Sequence, residues 1–157
     1  MNAEQKSFIE VVGAIASADM KNSGVAASLT TAQAILESAW GKSELTKTGN
    51  ALFGIKATKD WKGKTLTRKT TEYEDGKKVQ VEAEFRAYDT WEDSVKDHSA
   101  FLKKYKRYAK VIGETDYKEA CKAVAAAGYA TDPEYAKKLI ELIRSEERRV
   151  GEECRSR

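Results

Sequence analysis

Only one stretch of this chain alternates as a β-strand does. From Val79 to Phe85 the apolar residues Val79, Val81, Ala83 and Phe85 occupy every second position, which places them on one face of a strand. Asp75-Gly76 lies just ahead of them, a two-residue hairpin turn preceded by a Thr- and Tyr-rich stretch. The segment from about Leu66 to Tyr88 therefore reads as a single hairpin. Every other patterned segment is helical. One hairpin among several helices predicts an α+β fold that is mainly α, with about five or six helices and a small β lobe. A cleft between two such lobes is a natural bed for a long polymer.

The helices announce themselves by stripes and caps. Asn2 with Gln5 can cap a first helix with Phe8, Val11, Val12 and Ile15 on its apolar face, ended by Lys21-Asn22-Ser23-Gly24. Ser28 is the expected N-cap of a second helix that turns Leu29, Ala32, Ile35, Leu36 and Ala39 inward and stops at Gly41. Residues 42–64 are rich in Gly, Thr and Lys and read as irregular, with Phe53 and Trp61 as anchors. Thr90 with Asp93 caps a helix bearing Trp91, Val95, His98 and Leu102. A further helix runs from about Tyr117 to Ala127 and ends at Gly128. Asp132-Pro133 then opens the last one as N-cap and first position, with Tyr135, Leu139 and Ile143 on one face.

The chain has 157 residues, room for one domain with a real core. Hydrophobic residues make up 41% and charged residues 34%, ordinary for a globular protein in water. No apolar stretch approaches the ~18–20 residues that cross a bilayer, so membrane insertion is not expected. The N-terminal MNAEQKSFIEVV reads as the first helix and not as a secretory signal. Export by another route, or a place within a longer chain, is the corresponding expectation.

Residues 144–157, RSEERRVGEECRSR, stand apart from the rest. They show no helical stripe or strand alternation, and they resemble the in-frame translation of a short-read sequencing adapter. Only Glu152 departs, where the adapter encodes Lys. The expectation is a non-native tail behind a domain of residues 1–143. That tail carries five Arg and four Glu, so without it the net charge falls from +3 to +2. A balance this even does not point to nucleic acid, although a mild positive excess suits an anionic polymer. Cys154 leaves with the tail, and Cys121 is then alone, with no intramolecular disulfide to form.

The residue with chemical promise is Glu37. It sits near the end of the otherwise apolar run AQAILESAWGKSEL, where the anion is disfavoured and a carboxyl tends to keep its proton. A proton held towards neutral pH is what a general acid needs. Gln33, Glu37 and Trp40 fall on one stripe, at i, i+4 and i+7, apart from the buried stripe, and resemble the wall of a sugar-binding cleft. A second carboxylate has several candidates on the hairpin: Glu72, Glu74, Asp75, Glu82 and Glu84. With Asp75-Gly76 as the turn, Glu72 pairs opposite Val79 and shares a face with Val81 and Ala83, so it is the one expected to look inward. A one-residue slip would reverse that.

Other chemistries find little support. His98 lies on an apolar stripe and reads as a packed histidine. One His without a Cys cluster does not make a zinc site, and Cys121 in KEACKAVAAAG reads as core. No phosphate loop or nucleic-acid motif is present.

Three motifs resemble the glucosaminidase family of peptidoglycan hydrolases, glycoside hydrolase family 73. The family's AQ-x-x-x-ES-x-W-G pattern matches Ala32 to Gly41, with Ala39 where the family usually has Gly. Asn50-Ala51-Leu52-Phe53-Gly54-Ile55-Lys56 matches a second element that lies beside the acid. Gly128-Tyr129-Ala130-Thr131-Asp132-Pro133, followed by Tyr135-Ala136, matches a third, whose first Tyr lines the active site. The likeness spans nearly all of residues 5–143. It implies a lysozyme-like fold and hydrolysis of the β-1,4 bond after N-acetylglucosamine in a peptidoglycan glycan strand, without a cofactor.

Carried over, Glu37 is the catalytic acid. Glu72, 35 positions later, is the second catalytic residue, helping water or stabilising charge on the sugar. Substrate binding falls to Gln33, Trp40, Asn50, Phe53, Gly54 and Tyr129, with Tyr135 expected in the core and Trp61 a weaker candidate. Inversion, retention and attack by the substrate's own N-acetyl group all remain open. So do a muramidase or lytic transglycosylase, and a non-catalytic wall-binding module. A monomer acting at the bacterial wall is expected, in a phage, flagellar or autolysin setting, with a lean towards a phage lysin.

Overall fold

The structure, a computed structural model, describes residues 1–155, apart from the side chains of Glu72, Tyr73 and residues 152–155. Six α-helices and one antiparallel hairpin follow in the order α1 (Ala3–Ser23), α2 (Ala27–Ser38), α3 (Glu44–Gly49), β1 (Lys64–Glu74), β2 (Lys77–Ala87), α4 (Trp91–Lys104), α5 (Tyr117–Ala126) and α6 (Tyr135–Arg155). A 3₁₀ turn, Lys106–Tyr108, follows α4. The fold is the mainly helical α+β arrangement that the patterning predicts.

At the centre lies α2, packed by α1, α5 and α6. Leu29, Thr30, Ala32, Gln33, Ala34, Ile35 and Ser38 are all buried along it, so it presents no continuous wet stripe. One core cluster joins Leu29 and Ala32 to Leu102, Tyr108, Val124, Tyr135 and Leu139. A second joins Ala34 and Ile35 to Phe8, Val12, Leu52, Phe53 and Val95. Because α2 belongs to both clusters, anything on its last turn is held from several sides.

The caps decide where helices begin and end. Asn2 and Gln5 form the expected capping box on α1, and Gly24 ends it in the left-handed region at φ 77°. On α1 itself, Phe8, Ile9, Val12 and Ala16 face inward, whereas Val11 points to solvent, contrary to the expected stripe. The i, i+1, i+4 pattern leaves Val11 on the other side of the helix. Ser28 does not cap α2: the helix begins at Ala27, behind Ala26, with no side-chain cap. Thr90 caps α4 by accepting from the Asp93 amide at 3.1 Å.

Between 42 and 64 the chain is not wholly irregular. Ser43 caps the short α3, and Thr46, buried beneath it, donates to the Ala51 carbonyl at 2.7 Å. Asp132 does not start α6 directly. Its carboxylate accepts from the Glu134 amide at 2.9 Å, its carbonyl accepts from Tyr135 at 3.1 Å, and the helix opens at Tyr135. From there α6 runs without a break through Arg155, so residues 144–155 are helical where no stripe was legible. Arg and Glu are good helix formers, and Arg149 pairs with Glu146 one turn back at 2.6 Å.

The hairpin has the predicted register, with Glu74 opposite Lys77 and Glu72 opposite Val79. Asp75 and Gly76 both have positive φ, 51° and 76°, as a type I′ turn requires. Its base is fastened to the helical body. The Arg86 amide donates to the Ile55 carbonyl at 2.9 Å and Tyr88 to Gly49 at 2.8 Å. The Arg86 guanidinium pairs with the Asp97 carboxylate of α4 at 3.2 Å and lies over the Trp61 ring.

Candidate active site

Glu37 stands on the last turn of α2, and the residues after it explain the shape of that turn. Ala39, Trp40 and Gly41 take three left-handed conformations in succession, with φ of 50°, 61° and 80°. Such a run is costly for residues with a β-carbon and needs local support. The Ser38 hydroxyl supplies it, donating to the Ala34 carbonyl at 2.6 Å and accepting from the Gly41 amide at 2.8 Å. The Trp40 amide bonds back to Ile35, and Ser43 to Ser38. Trp40 thus leaves the helical path, and its ring meets Phe8 edge-on at 6.3 Å. It does not share a stripe with Glu37, and Ala39 is exposed instead of inward.

Glu37 keeps an exposed edge, yet its carboxyl end is enclosed enough for burial to push its pKa above the ordinary 4.5. The Tyr135 hydroxyl, from the first turn of α6, donates to Oε1 of Glu37 at 3.2 Å and pulls the other way. Burial is the larger influence, so the carboxyl leans towards its protonated form. The position of Tyr135 is the largest revision to the sequence reading. It is buried in the core, as expected, but its hydroxyl end belongs to the site.

Behind Tyr135 stands Gln33, with no exposure at all, so it is not part of a cleft wall. Its Nε2 donates to the Tyr135 oxygen at 3.0 Å, and its Oε1 meets Nε2 of His98 at 2.9 Å. A helix buried on every side places even its polar residues inside. His98 is fully buried and stacked on Phe53, with centroids 3.9 Å apart and planes at 16°. Burial pushes its pKa down to about 3, so the ring is neutral. Phe53, 3% exposed and covered by that imidazole, is core and offers no face to a sugar.

Tyr129 stacks on Tyr135 with centroids 5.9 Å apart, and its hydroxyl is buried without a hydrogen-bond partner among the described residues. Desolvation first, then the neighbouring Tyr135 and Glu37, raise its pKa. Asn50 ends α3 at φ 52°, and its Nδ2 donates to the carbonyls of Tyr88 and Asp89, both at 3.1 Å. It ties α3 to the hairpin exit, so its amide nitrogen is already committed. Gly54 has φ 61° with open space where a β-carbon would project. Glu72 is known here by its backbone place on β1, opposite Val79; its side chain lies outside the described residues. A groove of about 540 Å³ between α1, α2 and α6, lined by Ile9, Ile35, Leu142 and Val150, contains none of these site residues.

A carboxyl kept towards its acid form at the rim of a helical core can donate a proton. Residues 13–148 match the glucosaminidase family, described as mannosyl-glycoprotein endo-beta-N-acetylglucosaminidase. The chain belongs to that family. It is 40% identical over 145 residues to the exo-glucosaminidase LytG of Bacillus subtilis, covering 89% of this chain and 51% of that protein. It is 37% identical over 147 residues to the peptidoglycan hydrolase FlgJ of Salmonella typhimurium, covering 91% of this chain and 46% of that one. The catalytic domain of the autolysin Auto from Listeria monocytogenes superposes with a TM-score of 0.83 at 34% identity, over 92% of this chain and 85% of that domain. The chain spans about half the length of the curated relatives it matches.

Proposed function

We propose that this chain is a peptidoglycan hydrolase that cleaves the β-1,4 bond after N-acetylglucosamine, with Glu37 as the general acid. The observation that carries the reading is the raised pKa of Glu37 at the end of a buried helix, with Tyr135 fixing one of its oxygens. Glu37 gives its proton to the leaving glycosidic oxygen. Glu72, on the hairpin, assists water or stabilises positive charge at the sugar. Tyr129 and Tyr135 back the acid, and the open space beside Gly54 admits close approach of the glycan to the backbone. The family and the relatives' names support a peptidoglycan substrate and a place of action at the bacterial cell wall. No helix among the described residues is long and apolar enough to cross a membrane. The chain works as a monomer, and residues 144–157 are a non-native tail.

A digest of purified peptidoglycan tests this, with products reduced and their new ends identified by mass spectrometry. Reduced N-acetylglucosamine ends that vanish with Glu37→Gln and fall with Glu72→Gln are expected. Reduced or anhydro muramic ends would make the enzyme a muramidase or lytic transglycosylase. Binding without cleavage by the folded protein would make it a wall-binding module. The size of the early products separates cutting within the strand from cutting at its end, the mode named for LytG.

A further inference from the structure

The buried groups behind Glu37 form a chain of hydrogen bonds with a direction. Oε1 of Gln33 can only accept, so Nε2 of His98, 2.9 Å away, carries the imidazole proton. The Gln33 amide nitrogen can only donate, and it donates to the Tyr135 oxygen at 3.0 Å. Tyr135 then spends its own proton on Oε1 of Glu37 at 3.2 Å. Each group receives from behind and gives forward, and the series ends on one carboxyl oxygen.

The opposite polarity is the other continuous chain these groups allow. Glu37 would donate to Tyr135, Tyr135 to Oε1 of a turned-over Gln33, and the Gln33 amide to Nε2 of His98. The imidazole proton would then sit on Nδ1, which is buried without a hydrogen-bond partner among the described residues. That leaves an N–H with no acceptor in the core, whereas the observed direction leaves only a lone pair there. The Phe53 ring stacked on His98 fixes the plane of the imidazole.

We propose that His98 and Gln33 are positioning residues for the reaction: acting through Tyr135, they reserve Oε1 of Glu37 as an acceptor and confine the transferable proton to Oε2. In the reversed chain the acidic proton would point into the core and be useless to a leaving group. In the observed one it stands on the oxygen that Tyr135 does not occupy. Among the described residues, the groups that titrate and face Glu37 are the phenols of Tyr135, on α6, and Tyr129, ahead of it, both with pKa values raised by burial. Around His98 the one such group among the described residues is Tyr129, whose ring meets it edge-on at 6.0 Å, beside the non-titrating Gln33 amide. The proposal rests on the reading of Glu37 as the acid, and it adds what selects the oxygen.

His98 is the only histidine in the chain, so one nitrogen-15 NMR experiment on the unmodified protein reads the tautomer directly. A neutral ring protonated on Nε2, unchanged between about pH 5 and 8, is expected. A ring protonated on Nδ1, or one that titrates in that range, overturns the proposal without touching the role of Glu37. Kinetics supply the second arm. In folded Gln33→Met and Tyr135→Phe proteins, kcat should fall roughly tenfold with little change in KM. In Tyr135→Phe the alkaline limb of kcat/KM should also move to higher pH, because the carboxylate loses a donor that favours its ionised form. A lower kcat with that limb unmoved overturns the positioning role and leaves these residues as packing alone. Full activity of Glu37→Gln overturns the acid assignment, and the proposal with it.

Discussion

The Phe8 ring occupies the space that a β-carbon on Gly41 would need, with Cε2 only 2.9 Å from that position. Gly41 is also left-handed, at φ 80°. The glycine that closes the Glu37 turn therefore answers to two demands at once, a backbone conformation and a close approach by α1. Gly41→Ala should destabilise the protein by about 1–3 kcal/mol, from the left-handed penalty and the displacement of Phe8. Urea unfolding checks the stability. Activity should fall more than the unfolded fraction explains, since Glu37 lies four residues away on the same turn.

Asp97 answers two groups at the base of the hairpin: it pairs with Arg86 and accepts from the Tyr88 hydroxyl at 2.5 Å. Asp97→Ala would leave a guanidinium, only 8% exposed, without its counter-ion. A loss of about 3–5 kcal/mol is expected from such a broken buried pair, read from the urea midpoint. Replacing Arg86 and Asp97 together by apolar residues should cost less than Asp97→Ala alone.

His98 makes stability depend on pH in the acid range. Its folded pKa, about 3, lies below the unfolded value of 6.5, so the unfolded chain takes up a proton that the native ring refuses. The stability this contributes is complete above pH 6.5 and drains away as pH falls towards 3. The slope is up to about 1.4 kcal/mol per pH unit. Urea melts at a series of pH values should show that slope, and His98→Phe should remove about one proton from it.

Glu37 has the opposite dependence. Its folded pKa is raised above 4.5, so the native state prefers the neutral carboxyl and loses stability as pH climbs through the folded pKa. Glu37→Gln should therefore melt at a higher temperature than the parent at pH 7, a difference that closes in strong acid. The same substitution should lower kcat by about 10²–10⁴-fold, as removal of a general acid does. Greater stability together with lost turnover would mark a residue kept for chemistry.

Much of the architecture is legible because its signals are local. Asp75-Gly76 sets the hairpin register down to Glu72 opposite Val79, and Asn2 with Gln5 and Thr90 with Asp93 mark two helix starts. What escapes is decided by distant packing. Gln33 and Glu37 share a helical stripe, but the surroundings of α2 put one in the interior and the other at its rim, and periodicity carries no record of what surrounds a helix. Tyr129 and Tyr135 differ in role because the turn at Asp132 swings α6 so that the second hydroxyl, not the first, reaches Glu37. Trp40 is misplaced by any helical wheel, since the helix ends two residues before it. Ser43 followed by Glu44 is a start signal for α3, although its Thr and Gly residues are weak helix formers.

The hairpin is also an arm rooted at its base, where the Arg86–Asp97 pair and the backbone bonds beside it form the pivot. Thr65 pairs with Arg86 on the neighbouring strand, and Glu72 lies seven residues farther along, so the reach from pivot to Glu72 is about 24 Å. Each degree of tilt at that pivot carries the Glu72 backbone through about 0.4 Å at such a radius. The separation of the Glu72 backbone from the helical body is thus set at the far end of the arm, by the Arg86–Asp97 pair together with the backbone bonds from Arg86 to Ile55 and from Tyr88 to Gly49.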